Sequence, residues 1–183
     1  MWPTQLLTII TLVLWLTSSA AAGSFTPFAA TGTIETIDTG DVVPLPVMGL
    51  FLVNNRSITG TLTGSISGPY TLVYSSRTPV PIETQSALFG GSLTAGADVL
   101  RLLVATQTGL TPVECPEPDG LTCIQAGSRN FVPGLLLAGT WHYAAGGRGQ
   151  GHLTGWLIPR LSPDGHVVGI IASAIALTGY ERR

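Results

Sequence analysis

The three histidines, His142, His152 and His166, are the side chains best suited to bind a metal or transfer a proton. None has an H-x-H or H-x-x-x-H spacing, and no carboxylate lies within four residues of His142 or His152. If residues 145–148 form a turn between two strands, these two histidines become neighbours. Two imidazoles without a third ligand make a poor zinc site. We therefore predict polar strand positions and no metal site.

Aromatic residues close to these histidines form a second candidate site. Strands over 131–144 and 150–160 would pair as a hairpin and could bring Trp141, Tyr143 and Trp156 onto one surface. Such a surface is a stacking platform for a sugar or a flat ligand. Packing in the core is the alternative, because large aromatic side chains supply much of the buried apolar area of a protein.

Arg101 is the charged residue that attracts most interest, because it lies in the otherwise apolar segment "DVLRLLVAT". It shares strand parity with Val99 and Leu103, which makes it a candidate for an inward-pointing charge, with solvent exposure as the alternative. No G-x-S-x-G motif is present, and "GGRGQG" is not followed by Lys-Ser or Lys-Thr. We predict no catalytic residue and no cofactor. The candidate ligand-binding residues are Trp141, Tyr143, Trp156, Arg101, His142 and His152.

The amino-terminal segment is typical of an exported protein. An apolar run over residues 6–16 precedes Ala20-Ala21-Ala22, which fits a signal-peptidase site. We predict a signal peptide over 1–22, a domain over 23–183 and a secreted or periplasmic location, with an uncleaved anchor as the alternative. In that compartment Cys115 and Cys123, which enclose a short loop, are predicted to form a disulfide.

Charge and hydropathy narrow the classes of partner. The net charge is −2, and all eight cations are Arg, so no basic patch favours nucleic acid. No second apolar stretch is long enough to span a membrane, and we predict none in the mature chain. Nothing in the sequence specifies an oligomeric state.

Strand-forming residues and turn residues alternate through the rest of the chain, which contains 23 Gly and 13 Pro in all. "SITGTLTGSISG", residues 57–68, places Ile58, Leu62 and Ile66 on one parity together with glycines. Glycine within a strand marks a bend or a close backbone approach, and closing a barrel needs such bends. We predict an all-β fold, a single antiparallel β-barrel of about eight strands with this face inward, and a β-sandwich as the alternative. The turn at residues 162–165, "SPDG", predicts a hairpin between the last two strands.

The segment "GTWHYAAGGRGQGHLTG", residues 139–155, resembles allene oxide cyclase-like and dirigent-like β-barrels. Gly139-Thr140 and Tyr143 match the first half of their glycine pattern, and Gly149, Gly151 and Gly155 match the second half. Trp141 stands where a third glycine is usual. The resemblance implies an eight-stranded antiparallel barrel with an apolar lumen and transfers no catalytic residue.

Three functional expectations follow. The first is a non-catalytic binding module for an apolar small molecule or a glycan. The second is a barrel cyclase or isomerase acting on an apolar substrate in the lumen, which needs a buried polar pair with a shifted pKa. The third is a barrel whose interior is filled by side chains and which acts through its outer surface.

Overall fold

The computed structural model describes residues 24–38, 40–78, 87–111, 124–126, 129–146, 148–161 and 167–182. Apart from one 3₁₀ turn at Pro46–Met48, the regular structure in these ranges is β-strand. None of their segments is a helix long and apolar enough to cross a membrane. The strands are β1 Phe25–Ile37, β2 Asp41–Leu45, β3 Leu50–Gly64, β4 Gly68–Thr78, β5 Ala87–Ala95, β6 Asp98–Thr111, β7 Ile124–Ala126, β8 Arg129–Tyr143, β9 Gly149–Leu161 and β10 Val167–Arg182.

Eight of these strands close into an antiparallel barrel in the order β1-β10-β9-β8-β6-β5-β4-β3. The barrel closes because β1 pairs with β10 on one side and with β3 on the other. Two short strands lie outside this ring: β2 pairs with β3, and β7 pairs with β8. The predicted barrel is confirmed, and the sandwich alternative is wrong because the sheet has no break between two layers.

The glycine-rich stretch at residues 57–68 forms the end of β3, the turn after it and the first residue of β4. Ile58, Leu62 and Ile66 are buried inside the barrel, as predicted. The strand ends at Gly64, however, instead of continuing to residue 67, and β4 begins at Gly68. Gly64 and Gly68 have φ values of 129° and 115°, which residues with a side chain rarely adopt. These two glycines therefore allow the tight hairpin between β3 and β4.

Two predicted strands, over 47–54 and 57–67, are joined in the structure as the single strand β3. A β-bulge lies within it, where the pairing with β4 shifts between Val53 and Arg56. Asn55 occupies the bulge with a φ of 55°, a conformation that asparagine tolerates better than most residues. The bulge keeps both Val53 and Arg56 facing inward.

Several predictions fall on residues outside the described ranges. These are the signal peptide over 1–22, the Cys115–Cys123 disulfide, His166 and the turn at 162–165. The hairpin that this turn was expected to make is nevertheless present, because β9 and β10 pair from Leu161 and Val167 onward.

Candidate functional site

The interior of the barrel is filled by side chains over most of its length. Trp141 is almost completely buried and its ring packs 4.4 Å from that of Phe28, measured between centroids. The indole nitrogen donates a hydrogen bond to the carbonyl oxygen of Thr178 at 3.2 Å. The same core contains fully buried leucines: Leu62, Leu93, Leu100, Leu153 and Leu177. An eight-stranded barrel is just wide enough for side chains to fill it, and this sequence fills it.

One end of the barrel, which we call the Tyr143 end, is closed by a polar network. The Tyr143 hydroxyl donates to a carboxylate oxygen of buried Glu181 at 3.2 Å. The Arg148 guanidinium lies 4.4 Å above the Tyr143 ring and 2.9 Å from the Asp98 carboxylate. Burial, with the charges of Asp98 and Glu181, raises the pKa of Tyr143 to about 12. A group with that pKa is a poor proton donor or acceptor near neutral pH, so the network suits closure better than catalysis.

The outer wall brings together three of the residues predicted from sequence. Arg101 lies opposite His142 in the register of β6 and β8, and His142 lies opposite Gln150 in the register of β8 and β9. The row continues to Tyr180 on β10. His152 lies in the next row, opposite Thr140 and Thr178. Side chains that face each other across antiparallel strands have Cβ atoms about 4.5–5.5 Å apart, so these groups can contact one ligand.

A depression of about 430 Å³ lies over these strands. Its side chains carry several polar groups on a surface that is mainly carbon, and Tyr180 gives it an aromatic border; Phe25 packs edge-on against that ring at 5.2 Å. The residues around it are Thr140, Trp141, His142, Gln150, Gly151, His152, Gly179 and Tyr180. No group of three or more His, Cys, Asp or Glu side chains that would hold a metal occurs within the described part of the chain.

An apolar groove of about 530 Å³ adjoins this depression on the same wall. Thr154, which lines the groove, is the next outward residue after His152 on β9, so the two concavities lie side by side. Trp156 and Leu136 face each other across β8 and β9 and are 42% and 57% exposed. Small residues lie around them, among them Ala138, Ala174 and Ala176. We call the depression and the groove together the β8–β10 wall.

The three predicted aromatic residues do not share a surface, so the stacking platform is wrong, whereas the core-packing alternative holds for Trp141 and Tyr143. Trp141 and Tyr143 are buried in the barrel, where their rings lie 5.8 Å apart, whereas Trp156 faces solvent. The hairpin register explains the separation, because Trp156 pairs with Leu136, five residues before Trp141. Arg101 is exposed on the outer wall, so the solvent-exposed alternative holds and the inward-pointing charge is wrong.

The inward-facing charges are residues that sequence reasoning did not select. Arg56 and Glu181 are both buried, at opposite ends of the barrel. The sequence signal that could have found Arg56 is its strand parity, which it shares with Ile58 and Leu62. No sequence feature near Glu181 indicates that it is buried, because Tyr143, which donates a hydrogen bond to it, is 38 residues away.

Comparisons with protein families, with curated proteins and with solved structures found no match to this chain.

Proposed function

We propose that the protein is a non-catalytic binding module that holds a glycan on the β8–β10 wall. The observation that carries the proposal is the depression that presents both polar groups and the Tyr180 ring, next to the groove that contains Trp156. Both concavities are open to solvent on the outer wall, so a ligand there would be contacted on one face. The packed interior supports an outer site, because the described side chains fill the barrel around Trp141.

The chemistry of the wall matches a carbohydrate. A sugar presents apolar C–H faces and many hydroxyl groups, and so needs rings to stack on and groups that both donate and accept hydrogen bonds. Tyr180 and Trp156 are exposed rings at the two ends of the wall. Between them, the Gln150 amide, the His152 imidazole and the Thr140 hydroxyl each provide both a donor and an acceptor.

An apolar small molecule is the second candidate, and the groove at Trp156 and Leu136 favours it. It would occupy the groove alone and leave the depression empty. The cyclase or isomerase alternative receives less support, since Tyr143 and Glu181 form a buried pair whose tyrosine pKa is shifted away from neutral pH.

A glycan array probed with the labelled, purified protein tests the proposal. Titration calorimetry with a bound oligosaccharide follows, on the wild type and on the Gln150→Ala and Tyr180→Ala variants. Each of these exposed side chains supplies a direct contact, so we expect each variant to weaken binding about tenfold, which corresponds to about 1.4 kcal/mol.

A matched pair of threonine variants controls for the substitution itself. Thr140→Ala removes a hydroxyl from the wall, whereas Thr71→Ala removes one from the exposed face of β4 outside it. Only Thr140→Ala should weaken binding. The glycan proposal is wrong if no oligosaccharide binds, or if both threonine variants weaken binding equally. Binding of an apolar fluorescent probe that Trp156→Ala abolishes, without glycan binding, would favour the second candidate.

A further inference from the structure

The depression on the β8–β10 wall is bordered on one side by the exposed arginine Arg101. This residue lies opposite His142, which lines the depression. Its guanidinium makes no ion pair or hydrogen bond with any residue that the structure describes. Neighbouring strands lie about 4.8 Å apart, which is less than the length of an extended arginine side chain. The Arg101 guanidinium can therefore reach a ligand that occupies the depression.

A second arginine, Arg182, borders the depression beyond Tyr180. The two residues lie on the same face of β10, about 7 Å apart along the strand. Arg182 is exposed, and its backbone N–H donates a hydrogen bond to the Arg148 carbonyl oxygen at 2.6 Å, which fixes this end of β10. A ligand in the depression thus lies between two cationic side chains, one from β6 and one from β10.

The strands around the depression provide no carboxylate to balance these two charges. Asp98 and Glu181 are the acidic residues of β6, β8, β9 and β10. The Asp98 carboxylate lies 2.9 Å from the Arg148 guanidinium. Glu181 is buried inside the barrel, where it accepts a hydrogen bond from Tyr143. The outer face of these four strands consequently carries a net positive charge.

A guanidinium adds a property that the other polar groups of the wall lack. Gln150, His152 and Thr140 each donate and accept hydrogen bonds, which suits the hydroxyl groups of any sugar. Arginine has five N–H donors, no acceptor and a permanent charge, in a planar fork that matches two oxygens of an anionic group. Hydrogen bonds that involve a charged group are about twice as strong as neutral ones. Arg101 therefore favours a sugar that carries a carboxylate or a sulfate.

We propose that the glycan held by the β8–β10 wall is acidic, and that Arg101 binds its carboxylate or sulfate group. This inference rests on the proposed function and names the class of glycan that the wall selects. The sugar stacks on Tyr180, its hydroxyl groups bond to Gln150 and His152, and its anionic group lies on the β6 side of the depression. Arg182 adds a second positive charge at the β10 side.

A glycan array that carries neutral, carboxylated and sulfated oligosaccharides tests the proposal with the labelled wild type and the Arg101→Gln variant. We expect the strongest wild-type signals on acidic glycans, and a selective loss of those signals in the variant. The distribution between carboxylated and sulfated glycans identifies the anionic group. Binding confined to neutral glycans would overturn this inference and leave the proposed function intact, whereas an absence of glycan binding would overturn the proposed function itself.

Titration calorimetry then compares the acidic oligosaccharide of strongest array signal with its neutral counterpart, which is the methyl ester of a carboxylated glycan or the desulfated form of a sulfated one. Raising the salt concentration from about 0.01 M to about 1 M shortens the Debye length from about 30 Å to about 3 Å. This change should weaken binding of the acidic ligand severalfold and affect the neutral one much less. Equal salt dependence of the two ligands would contradict the proposal.

Two arginine variants isolate the contribution of Arg101. Arg101→Gln should weaken binding of the acidic oligosaccharide about tenfold, the effect of losing one charge-assisted contact, and change binding of the neutral counterpart much less. Arg77→Gln makes the same change at an exposed position on β4, outside the wall, and should leave both affinities unchanged. Unchanged affinity for the acidic ligand in Arg101→Gln, or an equal loss in Arg77→Gln, would refute the assignment.

Discussion

Replacing Gly60 by alanine should destabilise the barrel, because this glycine lies where β1 and β3 close the sheet. It pairs with Ile34 on β1 and with Tyr70 on β4. An added methyl group would overlap the Thr33 carbonyl oxygen and lie 2.8 Å from ring carbon Cε1 of Tyr70. The carbonyl belongs to the backbone and cannot rotate away, so the two strands must separate.

The magnitude follows from two opposing effects. Adding a methyl group to a packed interior costs about 1–3 kcal/mol, and the backbone clash favours the upper part of that range. Alanine also restricts the unfolded chain, which stabilises the folded state by about 0.4–1 kcal/mol. We therefore expect Gly60→Ala to lower the free energy of unfolding by about 2 kcal/mol, which in a chain of this size lowers the midpoint of thermal unfolding by about 4–8 °C.

Gly90→Ala is the matched control for this prediction. Gly90 is exposed on β5, and the nearest atom to an added methyl is the Leu102 carbonyl oxygen at an ordinary 3.6 Å. Alanine at this position restricts the unfolded chain without causing a clash, so the free energy of unfolding should rise by about 0.4–1 kcal/mol. Urea unfolding followed by circular dichroism measures both variants. Equal stability of the two, or a Gly60→Ala variant as stable as the wild type, would refute the argument that close strand approach requires this glycine.

The remaining predictions concern pH and the cysteines. The pKa of Tyr143 is raised from 10.0 to about 12, so the stability tied to its protonated form is complete below pH 10 and is lost between about pH 10 and 12. Tyr143→Phe should lose less unfolding free energy than the wild type over that interval, and equal losses would contradict the assignment. The exported chain should have an intact mass two hydrogens below its reduced mass, which measures the predicted Cys115–Cys123 bridge; a fully reduced mass would contradict it.

Local alternation in the sequence was sufficient to predict the strands and the direction of many side chains. Ile58 and Leu62 are inward because a strand repeats every two residues, and that repeat is readable without knowing the partner strands. The same rule puts Trp141 and Trp156 on opposite faces once the hairpin register is known. The register itself depends on how β8 and β9 align across their turn, and the sequence pattern left that alignment open.

The bulge at Asn55 shows what alternation alone cannot predict. A shift of one residue exchanges the two faces of a strand, so Val53 faces inward together with Arg56 only because Asn55 adds a residue between them. Two adjacent asparagines permit such a bulge, but they are equally common in turns. The pairing of Tyr143 with Glu181 was beyond prediction for a different reason, because it depends on the closure of the whole barrel.

The relation between Trp141 and two glycines explains why the outer wall is the better place for a sizeable ligand. Trp141 pairs with Gly151 on β9, and Gly151 pairs with Gly179 on β10. The indole reaches past β9 to the Thr178 carbonyl on β10, and a side chain at either glycine would overlap the backbone of the neighbouring strand. Among the residues that the structure describes, Trp141 is the largest fully buried side chain. At the level of Trp141 the interior of the barrel has room either for a ligand or for a tryptophan side chain. Here the tryptophan side chain fills that space.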